Sequence, residues 1–290
     1  SCWMPDSHRL NYICPTDEDR LTAPLIKVDG VHEETCWENA LEAAADALKQ
    51  FTPGEIAIIA SGRQTNEELF MMRALAAELG IESLAIVARE KESDDMLISA
   101  DRNPNTTGAK ITLQDNDAAA TLGTFREGVY QGDIKAVFVA SEDLLEDAGF
   151  SADDLKALEL LISIHTSTNA TAQESDIVLP GASTAEKRGS MVNVAGRLQK
   201  LNPACIPPAD ARTDWEIIRD LVLTLSGESP EQAPQSIDSL FQTIATTIPE
   251  FENKSLATLN DLGEVITETG VTIPLVEREN QRKAHGEIVG

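Results

Sequence analysis

Basic residues are scarce in this chain: 23 Lys and Arg stand against 49 Asp and Glu, a formal net charge of −26. Such a polypeptide repels phosphate backbones and anionic membrane surfaces, so nucleic acid is not an expected partner. Two readings of the acidity stay open, a solvating surface suited to a salty cytoplasm and docking on a basic partner subunit. Cysteine is equally sparse. Cys2, Cys14, Cys36 and Cys205 are scattered, with no C-x-x-C pair, which excludes a disulfide scaffold and the usual zinc or iron–sulfur ligand spacing. They are expected to be isolated reduced thiols. No apolar run approaches the ~20 residues that span a bilayer. The first residues, Ser1 to Pro5, have neither the basic start nor the apolar stretch of a signal peptide. The chain begins on Ser, so a fragment or a processed product is expected. There is no internal repeat, no Gly-Lys-Ser/Thr phosphate loop and no G-x-G-x-x-G.

What is present is an ordinary globular composition, 42% hydrophobic and 25% charged over 290 residues, enough for one large domain or two small ones. Residues 1–34 read as an extended lead-in segment, with a small strand pair around Leu25–Val28 and a turn at Asp29-Gly30. Thr35 with Glu38 forms a capping-box pattern, and Trp37, Ala40, Leu41, Ala44, Ala45 and Leu48 continue it as an apolar helical stripe, with Trp37 a core anchor. Ile56–Ala60 is a continuous apolar run, the pattern of a strand buried on both faces of a parallel sheet. Ser61-Gly62-Arg63 follows, then a helix from about Thr65 to Leu79 closed by Gly80, then a strand at Leu84–Val87, completing one βαβ unit. Residues 89–116 are polar and turn-rich. Beyond them the pattern predicts a helix at Ala118–Tyr130, a strand at Ala136–Ala140, a short helix at Ala152–Ala157, a strand at Leu160–Ile164, a short helix near Thr168–Glu174 and a strand at Ile177–Leu179. Met191–Asn202 reads as an extended arm or a hairpin around Gly196. Further helices are expected at Asp214–Leu225, Ile237–Thr247 and Lys254–Leu262, before a loosely held tail.

Strands alternating with helices predict an α/β fold, a doubly wound, mainly parallel sheet with helices on both faces and a partly helical C-terminal tail. Three regions follow: the lead-in over 1–34, the α/β domain over 35–226 and a C-terminal helical extension over 227–290. Strand-end loops then gather along one edge: Ser61–Arg63, Ser141–Asp143, His165–Ser167 and Pro180–Arg188. The segment Ser175–Arg197 stands out. An apolar run stops at Pro180, and a polar stretch dense in small and charged residues follows.

Each candidate has a plain structural counterpart. Ser61-Gly62-Arg63 before a helix start could hold an anion, or it is simply a tight turn. Asn66, Glu67 and Glu68 suit the positive end of the helix dipole without any catalytic role. His165 could act as a base at a strand end, although no Ser or Cys pairs with it; a neutral, hydrogen-bonded histidine accounts for it as well. Glu186-Lys187-Arg188 with Arg197 is the densest basic cluster, either an anion or subunit contact or a set of internal ion pairs. His8, His32 and His285 have no metal spacing.

A resemblance joins these residues. Cys2-Trp3-Met4-Pro5-Asp6, Arg9–Tyr12, Asp19-Arg20-Leu21 and Pro24-Leu25-Ile26 resemble the opening segment of the molybdopterin oxidoreductase superfamily. Cys36–Leu41 resembles its "SW-[DE]-EAL" helix start, and Ser61–Arg63 with Thr65–Glu68 its "SG…TNEE" element. Ser175–Pro180, Ala185–Gly189, Asn193 and Gly196–Gln199 are similar to "ADVVLP…AEKDGT…N.EGR.Q", and Asp214–Ile217 to "DWEI". The likeness covers roughly residues 1–225 and is nearest the C-terminal domain of the large iron–sulfur subunit of NADH:quinone oxidoreductase (respiratory complex I).

The resemblance implies a reduced form of that family's α/β core. Active members hold two pterins between two α/β halves, with a C-terminal barrel and a Cys, selenocysteine or Ser ligand to the metal. Here residues 81–135 are too short for the inserted second half, and the barrel is not recognisable. The expectation is therefore a non-catalytic scaffold domain with a vestigial site, no catalytic residue and no metal ligand. No cofactor is expected in this chain, with iron–sulfur clusters in preceding domains. Other subunits of an NADH dehydrogenase or related complex are the expected partners, with no membrane insertion and a place in the cytoplasm or at the cytoplasmic side of the inner membrane. If an anion or a pterin binds, the residues expected to hold it are Ser61, Gly62, Arg63, Asn66, Lys187, Arg188 and Arg197. Two alternatives remain: a working molybdenum or tungsten pterin oxidoreductase fragment such as a formate dehydrogenase, and a small anion-binding α/β domain.

Overall fold

The computed structural model describes residues 19–94 and 99–271. The lead-in motifs before Asp19, with Cys2, Cys14 and His8, lie outside the described residues, as do His285 and the tail beyond Val271. Among the described residues the main sheet has seven strands. In chain order they are β1 (Leu25–Val28), β2 (Val31–Glu34), β3 (Ile56–Ser61), β4 (Ala85–Val87), β5 (Ala136–Ala140), β6 (Leu160–His165) and β7 (Ile177–Pro180). Their spatial order is β2-β1-β7-β6-β5-β3-β4. β7, β6, β5, β3 and β4 are mutually parallel, while β1 runs antiparallel to β7 and β2 closes the edge as a hairpin.

The apolar strand runs alternate between two faces, as a sheet covered on both sides requires. Ile56, Ile58, Ala60, Phe138, Ile162 and Ile164 face one layer. That layer holds α1 (Trp37–Leu48), α2 (Asn66–Glu78) and α7 (Asp214–Ser226). Ala57, Ile59, Val137, Val139 and Leu161 face the other, with Phe125 and Val129 of α4 (Ala118–Gln131) and Leu155 of α5 (Ala152–Ala157). Trp37 is buried, donates its indole N–H to Asp210 O at 2.8 Å and carries the Arg212 guanidinium 4.5 Å above its ring.

A second, three-stranded antiparallel sheet is built from β8 (Gly189–Val192), β9 (Arg197–Leu201) and β10 (Glu264–Val265). Of the two readings of Met191–Asn202 the hairpin holds: it runs from the end of β8 through a turn with Gly196 at φ +75° into β9. A short helix, α6 (Ala170–Glu174), precedes β7. The first core layer runs without a break into the C-terminal extension, where α8 (Ile237–Thr247) contributes Leu240, Phe241 and Ile244, and Phe251, Leu256 and Leu259 follow.

Three local expectations need correction. The Thr35–Glu38 capping box does not form: Cys36 is the N-cap of α1 and makes no side-chain cap bond. The turn-rich stretch 89–116 contains a helix, α3 (Thr106–Leu113). Its TTGAKITL sequence has poor intrinsic propensity, so burial of Gly108, Ala109, Thr112 and Leu113 against α2 and β8 decides the outcome. Lys254–Leu262 is a series of turns rather than a helix, with Thr258 and Leu259 N–H groups bonded back to Ser255 O and Gly263 N–H to Asn260 O.

Phe241 is 1% exposed and meets Phe251 edge-to-face at 6.0 Å. Phe241→Ala is expected to cost ~3–5 kcal/mol. In urea the variant should still unfold in one transition seen by both tryptophan fluorescence and far-UV circular dichroism. A separate early transition would show that the extension does not share the core.

Candidate functional site

The carboxyl ends of β3, β5, β6 and β7 place the predicted loops along one edge of the sheet. The Ser61-Gly62-Arg63 turn does not offer a free anion cradle. Gly62 N–H donates to Val87 O, Arg63 N–H to Ser61 Oγ at 2.9 Å, and Gln64 N–H to Ser61 O. The Ser61 hydroxyl donates to Glu142 Oε1. At the start of α2, Thr65 and Glu68 exchange capping-box bonds of 2.8 and 3.2 Å. The turn is also covered. A Cβ on Gly62 would lie 2.9 Å from Asn103 Cβ, and Asn105 N–H donates to Gly62 O at 3.0 Å. The segment Asn103–Thr106 therefore sits where a ligand would approach this strand end.

The remaining predicted residues are likewise engaged. Asn66 is fully buried; it donates to Ser190 Oγ at 3.0 Å and accepts from Asn105 Nδ2 at 3.0 Å. Lys187 is 4% exposed and pairs with Glu68, Nζ lying 2.8 Å from Oε1 and 2.9 Å from Oε2. Burial opposes its ammonium charge, but the charges of Glu68, Asp214 and Glu186 outweigh that and hold Lys187 above its usual range. Arg188 forms a two-pronged, partly exposed pair with Asp238 of α8. Arg197 donates to the carbonyls of Leu262 and Gly263. Arg63 alone of the set is exposed; burial works against the charged carboxyls of Glu142 and Asp147, and Arg63 opposes it only after Arg89. The structure therefore gathers Ser61, Gly62 and Arg63 at one strand end and Asn66 with Lys187 in a buried polar layer, and sends Arg188 and Arg197 to the small sheet and the extension.

Several residues not counted among the candidate ligand contacts hold this edge together. Arg89 reaches from beyond β4 to both Glu142 and Asp147. Burial pushes the Glu142 carboxyl up, and Arg89 and Ser61 pull against it. Arg20 bonds Glu186 and the carbonyls of Thr166 and Gly181. Asp214, at the start of α7, accepts from Ser141 Oγ at 2.8 Å and Ala182 N–H at 3.2 Å. Ser141 itself is a non-glycine residue at φ +63°. Their residue types were visible in the sequence but the pairings were not, since the partners lie 32 to 166 residues away.

His165 is buried at the end of β6. Asn169 caps α6 through its Oδ1, which turns its amide NH2 toward His165 Nδ1 at 3.2 Å. Nδ1 therefore accepts and the proton sits on Nε2, which has no hydrogen-bond partner among the described residues. Burial lowers its pKa to about 4, so the ring is neutral. No group of three or more metal-ligating side chains occurs among the described residues. An open depression of about 660 Å³ lies on the extension, lined by Gln242, Thr246, Ile248, Glu252 and Lys254 among others, none of them a strand-end residue.

The molybdopterin oxidoreductase family model matches residues 20–124 and 103–223. Among curated proteins, the NADPH-Fe(3+) oxidoreductase subunit alpha of Geobacter sulfurreducens is 32% identical over 169 residues, 54% of this chain and 19% of that protein. The F420-dependent formate dehydrogenase 1 subunit alpha of Methanococcus maripaludis is 35% identical over 121 residues, 41% of this chain and 18% of that one. The NADH-ubiquinone oxidoreductase 75 kDa subunit of Reclinomonas americana is 39% identical over 74 residues, 26% of this chain and 11% of that one. The chain thus spans less than a fifth of the length of each of these relatives. Among solved structures, acetylene hydratase from Pelobacter acetylenicus shares the fold with a TM-score of 0.53 at 11% identity, over 80% of this chain and 65% of the other.

Lys187→Met is expected to cost ~3–5 kcal/mol, because it strands a buried carboxylate. Adding Glu68→Gln, which keeps an acceptor for the Thr65 N–H, should recover part of that loss. Urea denaturation of the two singles and the double checks this, and strictly additive effects would show that the two groups do not interact.

Proposed function

The chain belongs to the molybdopterin oxidoreductase family, and from that premise we propose that it is a non-catalytic scaffold domain in a multi-subunit electron-transfer complex of the NADH:quinone oxidoreductase type. The observation that carries this reading is the engagement of the strand-end donors. A large polyanionic cofactor needs many donors converging from several sides. Here Ser61, Lys187, Arg188 and Arg197 are spent on Glu142, Glu68, Asp238 and backbone carbonyls, and the turn at Gly62 is covered. Residues so engaged do not fit a pterin cofactor, which supports a reading without one.

The likeness to the 75 kDa subunit, named as a component of a larger oxidoreductase, also supports a role among other subunits. In such a complex electrons would pass through iron–sulfur clusters held outside the described residues, and this domain would contribute shape and contact surface. No helix among the described residues is long and apolar enough to cross a membrane. The place proposed for the domain is peripheral, at the cytoplasmic side of the inner membrane. The likeness to formate dehydrogenase alpha subunits favours a second reading, a working pterin-dependent oxidoreductase completed by other segments.

Elemental analysis of the purified protein separates the two. The scaffold reading expects molybdenum and tungsten far below one atom per chain and no formate-dependent dye reduction. Stoichiometric metal would overturn it.

A further inference from the structure

The two buried carboxyls in the first turn of α2 keep different company. Glu68 meets Lys187, whereas no cation among the described residues pairs with Glu67, which is 0% exposed. Glu67 Oε2 accepts from Ser190 N–H at 2.8 Å and Oε1 from Ser190 Oγ at 2.9 Å. Asn66 donates to the same hydroxyl, Asn105 donates to Asn66 Oδ1, and Val192 N–H donates to Asn105 Oδ1 at 2.6 Å. These bonds fasten β8 to α2 and α3, and the fit is tight. A Cβ on Gly189 would lie 2.7 Å from Glu67 Oε2, and one on Gly108 would lie 2.3 Å from Asn66 Oδ1.

The network accepts either form of the carboxyl. Ionised, Glu67 accepts both Ser190 donors; protonated at Oε1, it donates to Ser190 Oγ, whose second lone pair is free beside the Asn66 bond, and the serine proton turns away from Oε1. The energies differ, because a dry carboxylate without a counter-charge is costly and a neutral acid much less so. The cations on the neighbouring elements are held elsewhere or lie in solvent, and none among the described residues pairs with Glu67. Lys187 holds Glu68, and Arg188 holds Asp238 of α8. Arg197 and Lys200 on β9 hold backbone carbonyls and Asp261, and Lys110 of α3 is exposed. Burial, the dominant cause, pushes Glu67 up to about 7; the Ser190 bonds oppose it and the Glu68 charge adds to it.

We infer that Glu67 is a proton-operated latch: neutral, it clamps the β8–β9 hairpin onto the first turn of α2, and ionised, it lets the hairpin open and uncover Asn66–Glu68. This goes beyond the scaffold reading and does not rest on it. In the opened form the carboxyl is hydrated and returns to its ordinary value of 4.5. The clamp is therefore at full strength below that pH, weakens as pH rises to about 7, and changes no further above it.

Hydrogen exchange of the full chain tests the latch. Corrected for intrinsic rates, protection of the Ser190, Met191 and Val192 amides should fall on the order of fifty-fold between about pH 5 and about pH 8. In Glu67→Gln it should stay flat over the same range. A carbon-13 titration of the wild-type Glu67 carboxyl supplies an independent measurement should the variant fail to fold. Unchanged wild-type protection, or a carboxyl titrating near its ordinary value, overturns the proposal.

Discussion

The buried polar layer at the carboxyl edge of the sheet is organised around Lys187 meeting Glu68. An ammonium 4% exposed beside a carboxylate 1% exposed is tolerable only as a pair, since stripping water from either alone costs several kcal/mol. The same Glu68 oxygen that holds Lys187 also accepts the Thr65 N–H, so one carboxylate caps α2 and neutralises the loop after β7. Asp214 adds its field from α7 and is itself fixed by Ser141 and Ala182. Four elements distant in sequence are thereby set in register by a handful of charges. The polar layer adjoins an apolar core cluster that holds Leu69 and Met72 of α2 with Ile217 and Ile218 of α7.

How much of this the sequence could tell varies by residue. Ile56–Ala60 and Ala136–Ala140 announced buried parallel strands because nothing in them is polar, and both were found as such. Thr65 with Glu68 announced a helix start, and the capping box is there. Thr35 with Glu38 carried the same pattern and failed, because Cys36 takes the cap position and the chain enters α1 one residue later. Helix α3 was not legible, since its reason for being helical lies in α2 and β8 rather than in its own residues. In the candidate site the residue types were visible but the pairings were not. Lys187 belonged to a basic cluster that could be an anion or subunit contact or a set of internal ion pairs; the folded chain makes it an internal pair by bringing Glu68, 119 positions away, against it.

The acidity has a similar division of labour. Inside, carboxylates are paired or hydrogen-bonded, as at Glu142 and Glu186. Outside, α1 displays Glu38, Glu42 and Asp46 at successive four-residue steps, all exposed. Like charges at that spacing work against a helix by a few tenths of a kcal/mol each, an effect that salt diminishes. The helix persists because its opposite face buries Trp37, Leu41, Ala44 and Leu48. A net charge of −26 is thus carried by the surface without weakening the interior.

The close approach of Gly62 to Asn103, and of Gly108 to Asn66 and Asn105, has an evolutionary corollary. A side chain gained at either glycine must be matched by volume given up at the facing amides. These positions can drift only in concert, and a lone exchange at one of them is a dead end until its neighbour shrinks.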